Sequence, residues 1–254
     1  MEVYVWGLKQ DGWIPTSNII HDWYVISWAA KWLYSGEVYT GIVTPTEALA
    51  RDDSHILKPM WELLNKADVV ITHNGNKYDL KKLNTRFLLH DFPPPHSYQS
   101  IDTLAVAKKH FAFSSNKLDY INRQLGLPPK MENGGMELWK ACVRGEQPAL
   151  DTMIAYNAQD VFSMEETYLK LRPWISNHPN LALLSDMDGS ACPVCQSREL
   201  RVEGWYSTHV AQYLEYRCDE CGAIGRGRTN WKSKNKDGIR PLSNPYPRSI
   251  PKIK

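Results

Sequence analysis

No stretch of this sequence approaches the run of about eighteen apolar residues that a membrane-spanning helix needs, and no secretory signal pattern opens it. A soluble, cytoplasmic protein without a membrane partner is therefore expected. Cysteine is scarce: there are five in 254 residues, four of them in two close pairs. In a cytoplasmic setting disulfides are disfavoured, so metal binding outweighs oxidised pairs as the reading of these cysteines. The fifth, Cys142, has no motif that sets a histidine or other base beside it, so it reads as a small buried side chain rather than a nucleophile. Acid is nearly absent from the last stretch: Arg226 to Lys254 holds nine Lys or Arg against Asp237 alone, a local balance of +8 in a chain whose total is +2. The rest of the chain is therefore acidic, and a basic tail beside an acidic body suits a tail that holds polyanion and a body that gathers cations. A solvated, disordered tail is the plain alternative, and the two are compatible.

The length allows one large domain and a small appendage. Ten tryptophans and thirteen tyrosines are many for that length. Aromatics fill cores and also stack on bases, and core packing accounts for most of them.

Along the chain, strand and helix patterns alternate. Trp23 to Trp32 and Glu37 to Val43 read as strands, and residues 54 to 67 as a helix with one buried stripe leading into a strand at 68 to 72. A helix follows Asp79 and is expected to stop at Phe92-Pro93-Pro94-Pro95, because proline donates no backbone hydrogen bond. A short strand near Tyr98 to Ile101 precedes helices across 103 to 111, 116 to 125, 135 to 144 and 148 to 172. The alternation predicts an α/β domain with a mixed sheet flanked by helices.

Two acids stand out within this frame. The apolar run Val69, Val70, Ile71 empties into an Asn74-Gly75 turn, after which Asp79 opens a helix at the mouth of the sheet. Tyr156 and Asp160 are four apart in a helical pattern, so their side chains leave one face. Acids gathered from separate elements suit divalent cations such as magnesium, which take oxygen ligands. Each has a plainer role: helix capping for Asp79, a solvated face for Asp160, core packing for Tyr156, and for Asn74 the shaping of the turn. Asp102 could face the same place, although capping before Thr103 explains it equally well, and His73 reads as structural.

Both stretches resemble motifs of the DEDD (DnaQ-like) 3′–5′ exonucleases, which have a ribonuclease H-like fold. Asn74, Tyr78 and Asp79 match the second motif, and Tyr156 with Asp160 matches the third, whose tyrosine marks the DEDDy branch. The segments DWYVISWAAKWL, SIDTLAVAKKHF, SNKLDYINRQLG, GGMELWKAC and LRPWISNHPN are similar to phage and bacterial members, so the resemblance spans roughly residues 3 to 225. It implies two-metal hydrolysis of phosphodiesters of DNA, with RNA as the alternative, single-stranded or frayed ends as substrate, and a replication or repair protein as a further partner. Asp160 would ligate the magnesium or manganese ion that activates water, Asp79 would help hold the second, and Tyr156 would orient the water.

The sequence departs from the family at its first motif. No Asp-x-Glu precedes Asn74; Glu2 stands alone, and VYVWGL resembles the words that follow that motif elsewhere. Three explanations stand: a sequence that starts downstream of the motif, a member that has lost catalysis, or a partner chain that supplies the acids. The motif sits on the central strand of the family's sheet, so that strand is expected to be missing or replaced by VYVWG. Without a replacement, each interior backbone group left unpaired costs about 1–3 kcal/mol. With two acids alone, weak magnesium binding and slow or absent cleavage are expected.

Past a linker at 177–190, Cys192-Pro-Val-Cys195 and Cys218-Asp-Glu-Cys221 form two Cys-x-x-Cys knuckles separated by twenty-two residues, close to the spacing of a four-thiolate zinc site. The intervening segment alternates like a hairpin. A zinc ribbon at 191–226 is expected, with zinc structural because thiolate fills all four positions, and stable only with its metal. A thioredoxin-like redox motif is disfavoured outside a βαβ context. Trp205, Tyr206, Tyr213 and Tyr216, followed by Arg226, Arg228, Lys232, Lys234 and Lys236, could stack on and neutralise a strand of nucleic acid, or the module could be a docking platform for the domain at 1–176. The function expected is thus a 3′–5′ exonuclease, with a catalytically inactive nucleic-acid-binding or replication-scaffold protein as its rival.

Overall fold

The computed structural model describes residues 17, 19–128, 134–184 and 190–230. Its first unit ends at Leu171 and its second begins at Arg172. No helix among the described residues is long and apolar enough to cross a membrane.

In the first unit β1 (Ser27–Lys31) and β2 (Val38–Ile42) pair antiparallel, and β3 (Val69–Thr72) and β4 (Gln99–Asp102) pair parallel. Among the described residues these stay two separate pairs. The segment VYVWG, proposed as a substitute central strand, lies outside the described residues. Helices α1 (Pro45–Ala50), α2 (Ser54–Lys66), α3 (Asp79–Leu89), α4 (Thr103–His110), α5 (Leu118–Gln124), α6 (Met136–Val143) and α7 (Gln147–Leu171) complete the mixed α/β arrangement.

Local chemistry explains the boundaries. Helix α1, which the apolar periodicity did not reveal, starts with a capping box: Glu47 N–H donates to the Thr44 hydroxyl at 3.3 Å and Thr44 N–H to the Glu47 carboxylate at 2.7 Å. The expected proline stop of α3 needs correcting. The helix ends at Leu89, before the prolines, because Asp91 takes a left-handed φ of 58°. Phe92 N–H then donates to Phe87 carbonyl at 2.9 Å and Asp91 N–H to Leu88 carbonyl at 3.3 Å, the Schellman pattern, sealed by the Phe87 and Phe92 rings 5.9 Å apart.

The core of the first unit includes two apolar clusters among the described residues. Ile26, Trp28 and Val43 pack with Ile56, Leu138, Leu150 and Met153; Leu57 and Leu64 pack with Leu80, Leu83 and Phe87. Trp28 lies opposite Gly41, and its indole N–H donates to Ile56 carbonyl at 2.7 Å. A side chain at Gly41 would stand 2.3 Å from that indole nitrogen, so only glycine leaves room for the ring. Asp53, fully buried, accepts Val25 N–H at 2.8 Å and takes both Arg86 Nε at 2.8 Å and Arg86 Nη2 at 2.6 Å. That one carboxylate joins the approach to β1, the start of α2 and the end of α3.

Helix α7 runs along β1. Asn157 Nδ2 donates to Ser27 Oγ at 2.5 Å, Lys31 pairs with Glu165, and Tyr34 N–H donates to Glu165 at 2.6 Å. Eight residues of helix and four of strand each advance about 12–13 Å, so the two anchors agree in spacing.

In the second unit, β5 (Leu200–Ser207), β6 (Gln212–Cys218) and β7 (Ile224–Arg226) form an antiparallel sheet. Leu181 N–H donates to Pro193 carbonyl at 2.8 Å and Gln196 Nε2 to Leu181 carbonyl at 2.7 Å, which fastens residues 181–183 to the first knuckle.

Candidate functional site

The parallel strands β3 and β4 end side by side, with Thr72 paired to Asp102; β4 passes straight into α4, and β3 reaches α3 through the turn at 73–78. Asn74 follows with a left-handed φ of 71°, a conformation asparagine tolerates better than most residues. Its N–H donates to Asp102 Oδ1 at 2.8 Å, and its carbonyl accepts Tyr78 N–H at 3.1 Å. Gly75 beside it has no room for a side chain, since a Cβ would fall 2.5 Å from Thr72 Oγ1. Asp102 Oδ1 also accepts Leu104 N–H at 3.0 Å and Ala105 N–H at 3.3 Å. The same buried carboxylate therefore caps α4 and locks the turn that presents Asp79. His73 is pinned between Thr103 Oγ1 at 2.9 Å and Asn116 carbonyl at 3.0 Å, a structural role.

Asp79 is the first residue of α3, one past the cap position that Tyr78 occupies without a side-chain capping bond. It presents surface to solvent as a residue, yet its carboxyl is crowded enough to lose hydration. That desolvation pushes its pKa up, its own amide opposes, and the negative charge of Asp102 pushes it up further. Asp79, Asp102 and Asn74 thus meet at the carboxyl end of the β3–β4 pair, where α/β sheets commonly bind ligands. Tyr156 and Asp160 are both half-buried on α7, and Tyr156 packs against the core cluster around Met153. Among the described residues, the acids do not assemble into a set of three or more metal-ligating side chains; the cysteines do.

In the second unit the ligand atoms of Cys192, Cys195, Cys218 and Cys221 lie within 4.8 Å of one another. The Cys192–Cys221 and Cys195–Cys218 sulfurs are 3.7 and 3.6 Å apart. Disulfide sulfurs stand about 2.05 Å apart, whereas sulfurs at about 2.3 Å from a tetrahedral ion stand about 3.8 Å apart, so the set has the dimensions of a tetrathiolate metal site. Burial pushes the Cys221 thiol up to about 11, with the Cys195 thiol higher still. At Cys218 burial also acts upward but is outweighed by the Cys221 and Glu220 amides together with the neighbouring thiols, leaving it below its usual value. Cys142, buried and pushed up to about 11 by desolvation, has the character of an inert core thiol.

The proposed nucleic-acid contacts divide. Adjacent strand residues point to opposite faces, so Trp205 and Tyr206 do not form one surface. Tyr206 pairs with Tyr213, and the Arg226 guanidinium sits 4.2 Å from the Tyr213 ring centroid and 6.0 Å from that of Tyr206. Trp205 pairs with Leu214 on the other face, and the register shift between Val202 and Gly204 brings Val202, opposite Tyr216, to that face as well. Arg228 is exposed; Lys232, Lys234 and Lys236 lie outside the described residues.

The RNase H superfamily model matches residues 32–172, more than half of the chain. The protein belongs to the RNase H superfamily, and that membership points to a nuclease-type function with nucleic acid as partner. No curated protein matches the chain. Sequence reasoning overlooked Asp53 and Arg86 as a pair, since no local pattern links residues from different helices, and it left the double duty of Asp102 undecided.

Proposed function

We propose that the first unit is a metal-dependent 3′–5′ exonuclease domain of the DEDDy type, acting on single-stranded or frayed DNA. The observation that carries this reading is Asp79: an acid with raised pKa, held at the strand ends by a turn that Asp102 locks. Asp79 and Asp160 would hold magnesium or manganese. Bound ions supply an activated water and charge stabilisation at the leaving oxygen. Tyr156 would orient the water by its hydroxyl, and Asn74 would hold the turn. In the second unit the four cysteines would hold a structural zinc ion, and Tyr206, Tyr213, Arg226 and Arg228 would contact the nucleic acid. The rival, a protein that holds nucleic acid without cutting it, is favoured by one specific observation: the described acids form no set of three.

The test uses end-labelled oligonucleotide, manganese, the chain itself and a fusion that places a strand bearing Asp-x-Glu ahead of Met1. Laddering from the 3′ end by the fusion, abolished by Asp160→Asn, is the expected result. Binding without laddering by either protein leaves the non-cutting reading in place.

A further inference from the structure

Beside Asp79 lies a cluster that the proposed chemistry does not use. The Lys82 ammonium stands 3.9 Å from the Trp23 ring centroid and 5.2 Å from that of Tyr78. Tyr78 and Lys82 are one helical turn apart, joined by the Lys82 N–H to Tyr78 carbonyl bond at 3.0 Å, so they share the face on which α3 begins. Tyr78 keeps 45% of its surface exposed, which for a tyrosine next to a candidate metal-binding acid is surface left for contact. Among the described residues Lys82 forms no ion pair; partial burial pushes its pKa down, and the negative charge of Asp22 opposes that. Positive charge prevails locally. From Asn74 to His90, Lys77, Lys81, Lys82 and Arg86 face Asp79 as the single acid, and Arg86 is consumed by Asp53.

An exposed ring beside an ammonium matches the two parts of a nucleotide in a single strand: a base face to stack on and a phosphate to neutralise. Resting on the nuclease reading above, we propose that Tyr78 and Lys82, with Trp23 holding the ammonium in place, grip single-stranded nucleic acid next to Asp79. Tyr78 stacks on a base and Lys82 pairs with an adjacent phosphate. The grip is independent of base identity, because every base has a face and every nucleotide a phosphate.

Fluorescence anisotropy with a 5′-labelled single-stranded oligonucleotide, without added magnesium or manganese, tests this. Tyr78→Ala should weaken binding by between about five- and a hundred-fold, and Tyr78→Phe by less than about two-fold. Lys82→Gln should lower the slope of log affinity against log salt by about 0.7–1, and Lys82→Arg should keep it. Unchanged affinity and slope in Tyr78→Ala and Lys82→Gln overturn the proposal. So does equal impairment by Lys82→Gln and Lys82→Arg with a matching fall in Tm, which marks the cluster as packing alone. Manganese-dependent laddering, measured separately, distinguishes the two readings. Cluster-dependent binding without laddering from the Asp-x-Glu fusion overturns the exonuclease and spares the grip, whereas laddering with unaltered binding in the variants does the reverse.

Discussion

A carboxyl group that holds its proton more tightly in the folded chain than in the unfolded one makes stability fall as pH rises through its titration, and Asp79 is such a group. The contribution is fully present below the ordinary aspartate value of about 3.9 and is lost as pH rises through the higher folded value. Asp79→Asn should therefore raise the urea midpoint at neutral pH, with the gain shrinking to nothing in acid. If Asp79 ligates a cation, manganese should stabilise the parent and not the variant. Equal stabilisation of both by manganese would remove Asp79 from the metal site. The acids nearby divide by burial: Asp102 spends its carboxylate on three backbone N–H groups, whereas Asp79, with no capping bond to make, retains lone pairs for a ligand.

At the scale of elements, Asp53 and Arg86 form a buried pair whose side chains are 0% and 14% exposed. Leaving either charge alone in the interior costs about 3–5 kcal/mol, so Asp53→Asn and Arg86→Met should each destabilise by that order. The double variant should recover part of the loss, and a double-mutant cycle in urea measures how much. Strict additivity would show that the pair does not couple α2 to α3. None of this was legible in the sequence, because it depends on which helix ends meet. The elements themselves were legible where period and breakers agreed: the stripe of α2 and the run into β3 fell within a residue or two of their predicted limits. Helix α1 escaped because six residues are too short for a period, although Thr44-Pro45 and Glu47 already spelled its cap. The end of α3 was placed at the wrong residues because a left-handed aspartate leaves a weaker mark in sequence than three prolines do.

For the molecule as a whole, the two units rest on different sources of stability. The first buries apolar clusters anchored by Trp28 and Phe87, and Ile101, Val106, Ile121 and Tyr168 besides, enough for a domain of ordinary kind. In the second, the cluster around the cysteines has little apolar substance among the described residues: Val194, Ala223 and Leu200, its other members being the four cysteines themselves. A module of that size needs a cross-link or a metal to fold, and sulfurs 3.6–3.7 Å apart provide the place for one ion. Extracting metal with a strong chelator should release one equivalent of zinc and remove hydrogen-exchange protection from the β5–β6 amides, while the amides of α7 and β1 keep theirs. Cys218→Ser should reproduce that pattern without chelator, because three thiolates hold the ion more weakly than four. If β5 and β6 stay protected after the metal is gone, the hairpin is held by its own cross-strand pairs, Tyr206 against Tyr213 foremost, and the cysteine cluster is not what folds it.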